Sequence, residues 1–184
     1  ILGLFTIIYL KAIQPNLIKK RAANHYIIIQ NTVDHLDRLK INFESEEIKT
    51  FLYSTRFLFQ SLDRVQFFSI KGILIGDTNI LDLDQNMFTR SDVIIEESID
   101  GKIKEQNKNK KLKVEQNKDL IKKTILNDYQ NEPVTISQKV QNNFFVSTIS
   151  RIKLSGKEVG YIVVSEEADD ILIAVKERKA FIIR

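Results

Sequence analysis

Phe144-Phe145-Val146-Ser147-Thr148-Ile149-Ser150-Arg151-Ile152, then Ser155-Gly156, then Val159-Gly160-Tyr161-Ile162-Val163-Val164, is the stretch that decides the fold. β-Branched and aromatic residues crowd both sides of a Ser-Gly pair, which is the composition of two strands joined by a tight turn. A second pair lies upstream, where Arg64-Val65-Gln66-Phe67-Phe68-Ser69-Ile70 and Ile73-Leu74-Ile75-Gly76-Asp77 flank Lys71-Gly72. Gly72 can supply the positive φ such a turn requires. Two hairpins of this kind predict an antiparallel sheet.

Helical patterns surround these strands. From Ile13 to Phe43 helix formers dominate, and Ala22, Tyr26, Ile29, Val33, Leu36 and Phe43 recur at spacings of four and three except where Lys40 interrupts. Such a heptad stripe serves either a core face within one chain or the seam of a homodimer. About 31 residues of helix would extend roughly 46 Å, more than one small core needs. That length suits a helix linking a membrane span to a distal module, with Pro15 allowing a restart or kink. Ser45, followed by Glu46 and Glu47, predicts the cap of a second helix carrying Ile48, Phe51, Leu52, Phe57 and Leu58 to about Leu62. Asp119 to Tyr129 reads as a short amphipathic helix. Ser165 with Glu166, Glu167, Asp169 and Asp170 predicts the cap of a last helix through Ile171, Leu172 and Val175, its acids answering the helix dipole better than a cation. Residues 78 to 118 show little pattern beyond a short strand expected at Val93 to Glu97. The class is α+β, a long N-terminal helix packed on an antiparallel sheet.

The formal charge of +4 is local. Residues 102 to 123 carry nine Lys against Glu105, Glu115 and Asp119, a balance of +6 that leaves about −2 for the rest of the chain. This Lys-rich segment holds no aromatic to stack on a base and no Arg to fork onto phosphate, so a solvated loop at about 100–118, mobile and outside the packed core, is expected and nucleic acid is not. The absence of Cys excludes disulfides and thiolate metal sites.

The chain opens Ile1-Leu2-Gly3-Leu4-Phe5-Thr6-Ile7-Ile8-Tyr9-Leu10, an uncharged run that would rise about 15 Å as a helix, roughly half a hydrocarbon core. It closes Lys179-Ala180-Phe181-Ile182-Ile183-Arg184, where an apolar segment begins. These ends read as truncated transmembrane helices. Residues 1–12 are then the end of a first span, 13–175 an extracytoplasmic sensor domain and 176–184 the start of a second span. The expected location is a bacterial inner membrane with the domain facing the periplasm.

Catalysis finds no footing: there is no Cys, no G-x-S-x-G and no phosphate loop, and the segment is expected to be no enzyme, with no cofactor. His25 and His35 lie about 80° apart around their helix and form no metal pair. Asp82, Asp84 and Asn86 imitate the start of a calcium loop, but Met87 replaces the turn Gly and Val93 the bidentate Glu. Two uses remain. His25 and His35, titrating near an unperturbed value of roughly 6.5, are candidates for pH sensing beside the helix stripe. Phe67, Asp77, Ser147 and Tyr161 are candidates for a ligand pocket on the sheet, with packing or turn roles competing at each.

The ordered series resembles a family. Leu2-Gly3-Leu4, Tyr9-Leu10, Asn16-Leu17-Ile18 and Arg21, then the Arg64-to-Thr78 hairpin, then Phe145 to Ser150, Val159 to Ser165, Asp170-Ile171 and Glu177-Arg178-Lys179-Ala180 is similar to the stimulus-sensing region of alphaproteobacterial sensor histidine kinases of the ChvG/ExoS type. The resemblance spares about 80–118. Pro15, the Lys-rich insertion and Arg151-Ile152 in place of a family Pro depart from it. It implies a Cache-like, PAS-like periplasmic domain in a homodimeric two-component receptor, with kinase parts beyond Arg184. Envelope signals such as acidity, relayed in some members by a periplasmic regulatory protein, are implied too. Other readings are a binding module for such a protein, with the Lys-rich loop as its contact, and the sensor of a chemotaxis receptor or cyclase.

Overall fold

A computed structural model describes residues 2–59, 62–79, 120–128, 132–140 and 143–183. Helix α1 spans Leu2–Arg38 and α2 Ser45–Thr55, continued by a 3₁₀ turn at Arg56–Phe59. Strands β1 (Arg64–Ser69) and β2 (Leu74–Asp77) follow, then a short helix α3 at 120–128 whose second half widens to π geometry. Strands β3 (Val134–Val140), β4 (Asn143–Leu154) and β5 (Lys157–Glu167) lead into α4 (Asp169–Ile183). The sheet order is β2-β1-β5-β4-β3 and every pairing is antiparallel. The α+β expectation is met.

Both hairpin turns form where the sequence places them, with Gly72 at φ 72° and Gly156 at φ 77°. β5 occupies the centre with β1 beside it, and both faces of each are covered, which is why Tyr161-Ile162-Val163-Val164 and Val65-Gln66-Phe67-Phe68 read as unbroken buried runs. One face packs Val65, Phe67, Ile152, Ile162 and Val164 against Ile29 and Leu36 of α1 and Ile48, Phe51 and Leu52 of α2. We call it the helix face; each such aliphatic side chain contributes about 1.5–3 kcal/mol by leaving water. The opposite, far face packs Phe68, Ile149, Tyr161 and Val163 against Ile121 and Ile125 of α3.

Three expectations are corrected and one strand is added. Helix α1 stops at Arg38 rather than near Phe43, because Lys40 turns left-handed at φ 54° and the Ile41 amide returns to the Leu36 carbonyl at 3.2 Å, a Schellman-type close. α2 yields to the 3₁₀ turn after Thr55 instead of continuing to Leu62. Ser165 is no helix cap: β5 runs on through Glu167, and α4 starts at Asp169, whose Oδ1 accepts from the Phe144 amide. β3 was not foreseen. The strand expected at Val93 to Glu97, the calcium-loop imitation and the Lys-rich loop lie outside the described residues.

Helices α1 and α4 pack antiparallel. Arg21 reaches Asp170, while one turn earlier in α1 Leu17 and Ile18 pack with Ile171 and Leu172. Their free ends therefore leave the sheet on one side. Among the described residues no helix is long and apolar enough to cross a membrane.

Glycines fix the two closest approaches. A Cβ at Gly160 would meet the Phe68 carbonyl oxygen at 2.1 Å and Phe43 at 2.5 Å, whereas one at Gly76 would meet the movable Ile48 Cγ2 at 2.7 Å. Gly160→Ala is expected to lower unfolding stability by about 1–3 kcal/mol, and Gly76→Ala by less, in denaturant titrations. Equal losses would mean that the β1–β5 ladder yields as readily as a side chain.

Candidate functional site

Polar groups are buried on both faces of the sheet near the junction of β4 and β5, and strand alternation sorts them. On the helix face, His25 of α1 is 0% exposed. Its Nδ1 lies 3.1 Å from Thr148 Oγ1 of β4 and its Nε2 3.2 Å from Glu166 Oε2 of β5. Thr148 Oγ1 also contacts Thr135 Oγ1 of β3 at 3.2 Å. Arg21, one turn before His25, donates to Glu166 Oε1 and to Asp170 Oδ2 of α4 at 2.6 Å. Glu166 thus holds two α1 side chains, and one network ties α1 to β3, β4, β5 and α4.

The electrostatics of this junction oppose charge on His25. Burial holds the imidazole below its ordinary value and the Arg21 guanidinium pushes the same way, while Glu166 pulls back through its hydrogen bond and charge. Neutral His25 with Nε2–H donating to Glu166 and Nδ1 accepting from the Thr148 hydroxyl satisfies both ring nitrogens.

The far face carries a second set. Arg64 Nε lies 3.0 Å from Asp77 Oδ1 and 3.1 Å from Oδ2, and the pair is almost fully buried. Gln66 Nε2 donates to Asp77 Oδ2 at 3.2 Å and the Asn79 amide to Oδ1 at 3.0 Å. Arg64 faces Ser165 across β1 and β5, and Ser165 faces Ser147, with 2.8 Å between the two hydroxyl oxygens.

Of the pocket candidates, Asp77, Ser147 and Tyr161 share the far face, while Phe67 lies on the helix face among Ile29, Phe51 and Ile162. Asp77 carries the Arg64 ion pair, and Tyr161 packs in the α3 cluster under Arg151, whose guanidinium carbon sits 5.6 Å from the ring centroid. The helix stripe is divided. Ile29 and Leu36 are taken into the chain's own core, Ala22 and Val33 are half-buried, and Tyr26 is 43% exposed. His35 is half-buried with its ring centroid 5.7 Å from that of Phe51, and shares no contact with His25. Residues the sequence reading did not single out are Arg21 as a clamp, Glu166, Thr148, Arg64 and Gln66. A signal existed for Arg21: it lies one turn before His25 and extends at helical spacing the line that His25, Ile29, Thr32 and Leu36 bury. Among the described residues no group of three His, Cys, Asp or Glu could hold a metal ion.

Comparison with known proteins adds little. No family model matches the chain, and no curated protein matches it. Among solved structures, an extracellular ligand binding receptor from Desulfohalobium retbaense DSM5692 is similar at 11% identity and a TM-score of 0.41, over 90% of this chain and 27% of that one. The chain thus spans about a quarter of that receptor's length.

Two predictions follow from the buried groups. Because the folded pKa of His25 lies below the unfolded value of 6.5, the unfolded chain takes the proton first. The stability associated with neutral His25 is complete above about 6.5 and declines as pH falls through that value toward the folded pKa. His25→Gln should flatten this part of the curve, measured by urea unfolding between pH 7.5 and 5. Asp77→Asn should cost about 3–5 kcal/mol by stranding buried Arg64, and the double variant Arg64→Met/Asp77→Leu distinctly less. A double variant no better than the single would show that the ion pair stabilises the sheet beyond its own burial cost.

Proposed function

We propose that this chain is the extracytoplasmic sensory module of a membrane-embedded receptor, passing a change on the sheet to a pair of membrane-directed helices. One observation carries the reading: consecutive residues of β4 and β5 serve opposite faces, so that Ser147 and Ser165 of the far face are covalent neighbours of Thr148 and Glu166, which hold α1. A displacement at the serines of the far face reaches His25 and Arg21 through one strand thickness. The antiparallel arrangement of α1 and α4 supports the same reading, since both lead away on one side, in the direction where the expected spans 1–12 and 176–184 would continue. The ordered resemblance to ChvG/ExoS-type sensor kinases makes a two-component histidine kinase in the bacterial inner membrane the preferred output, with a chemotaxis receptor or cyclase as the alternative. The homodimer expected for such a receptor would use the part of the α1 stripe left outside the core, around Ala22 and Tyr26, Val33 being packed against the core of its own chain.

A proton is a second input favoured by a specific observation, the enclosure of His25 between Arg21, Glu166 and Thr148. Charging His25 would place two cations on one carboxylate and weaken the α1 attachment.

Placement across the membrane is directly testable. The chain has no Cys, and Lys157 begins β5 at the exposed β4–β5 turn. In the full-length receptor, made otherwise free of thiols, Lys157→Cys should react with a membrane-impermeant maleimide in intact cells whose outer membrane has been opened. Labelling only after lysis of the inner membrane would overturn the extracytoplasmic reading.

A further inference from the structure

Among the described residues, one buried acceptor on the far face has nothing to accept. Gln66 is 1% exposed and its Nε2 donates to Asp77 at 3.2 Å, while its Oε1 is buried without a hydrogen-bond partner among the described residues. Turning the amide over does not cure this, because Oε1 would then face the Asp77 carboxylate, acceptor against acceptor. A buried carbonyl oxygen left empty among the described residues is costly, and it marks a place where a further donor fits.

The surroundings define what that donor belongs to. Asp77 already accepts from Arg64, Gln66 and the Asn79 amide, so Arg64 and Asp77 satisfy each other. A charged ligand would bury an ion with no counterion to meet it. Gln66 faces Val163, and Ser165 lies two residues further along β5, a diagonal of about 7–8 Å across the face. Ser165 and Ser147 share one hydrogen bond between their hydroxyls, which leaves one hydroxyl hydrogen to give. Phe68 and Tyr161 close the next level of the face with apolar surface.

We propose that the far face between Gln66 and the Ser147–Ser165 pair takes a small uncharged ligand, an amide or alcohol, that donates a hydrogen bond to Gln66 Oε1. The ligand spans the diagonal and accepts from the serine pair at its other end. This deepens the sensory reading and rests on it, since binding here loads the strand segments that hold α1.

The test uses the 184-residue chain, its Gln66→Met variant, which keeps side-chain length and loses the acceptor, and a Ser165→Ala variant that keeps Gln66. Thermal unfolding is followed with propionamide, lactamide and glycerol as neutral probes, and with propionate, lactate, propylammonium and inorganic phosphate as charged ones. At least one neutral probe should raise the wild-type Tm by about 2–4 °C at saturation. The rise should vanish in Gln66→Met and shrink in Ser165→Ala, and the charged probes should give none. If no neutral probe separates wild type from Gln66→Met, the inference is overturned; if that variant fails to fold, failure of every neutral probe to separate wild type from Ser165→Ala overturns it instead. A charged probe that stabilises wild type and Gln66→Met alike also overturns it, yet leaves the sensory reading standing with a different site. The maleimide labelling at position 157 decides that reading separately.

Discussion

A strand places successive side chains on opposite faces, and at the ends of β4 and β5 that constraint holds the molecule together. Thr148 and Glu166 point to α1, while Ser147 and Ser165 point away from it. No hinge or loop separates the two sets, only a peptide unit in each strand. Helix α1 makes its buried polar attachment at this point, with Asp37 accepting from Ser155 at the exposed turn, α4 meets it through Asp170, and the far-face polar row begins on its other side. Moving either strand by one residue would exchange the two sets and leave His25 facing a serine pair.

The cost of this arrangement explains its placement. His25, Arg64, Gln66 and Asp77 are all nearly inaccessible to water, and each buried polar group must recover in hydrogen bonds what it lost in hydration. Apolar clusters flank the polar junction: Ile29, Leu36 and Val164 toward one end of α1, Phe144, Val146 and Ile171 toward the other. These clusters supply the gross stability, and the junction supplies discrimination, because an ion pair or imidazole bonded in one geometry tolerates sliding less than leucine against isoleucine does.

How far the sequence could be read follows from which residues announce themselves. The two hairpins were legible because glycine is needed at a positive φ and apolar runs on both sides of a turn have few other solutions. Helix α1 was legible in kind, but its inward line was not, since the reading weighed apolar positions and the line passes through Arg21, His25 and Thr32. Ser165-Glu166-Glu167 imitates a helix cap, and only the two-sided burial of Tyr161 to Val164 argues that the strand runs on. Strand β3 pairs mixed polar residues at the sheet edge and gives little periodic signal. Of the pocket candidates, alternation set Phe67 apart from Asp77, Ser147 and Tyr161. That parity was readable within β1, but which face bears the helices was not, because it depends on packing between distant elements.

Coupling between the faces needs two packings of similar energy and an input that prefers one. In the proposed sensory role, the shared Glu166 would meet the first requirement: the carboxylate serves His25 and Arg21 together, so loss of one partner still leaves it bonded to the other. A small shift of β5 would then redistribute hydrogen bonds rather than leave a bare charge. Arg21 extends the exchange to Asp170 at the start of α4, so the two helices that leave the sheet together respond to one carboxylate. An input at the serines, where each hydroxyl sits one residue from a group gripping α1, need only favour one of these distributions by about 1–3 kcal/mol to change which packing dominates.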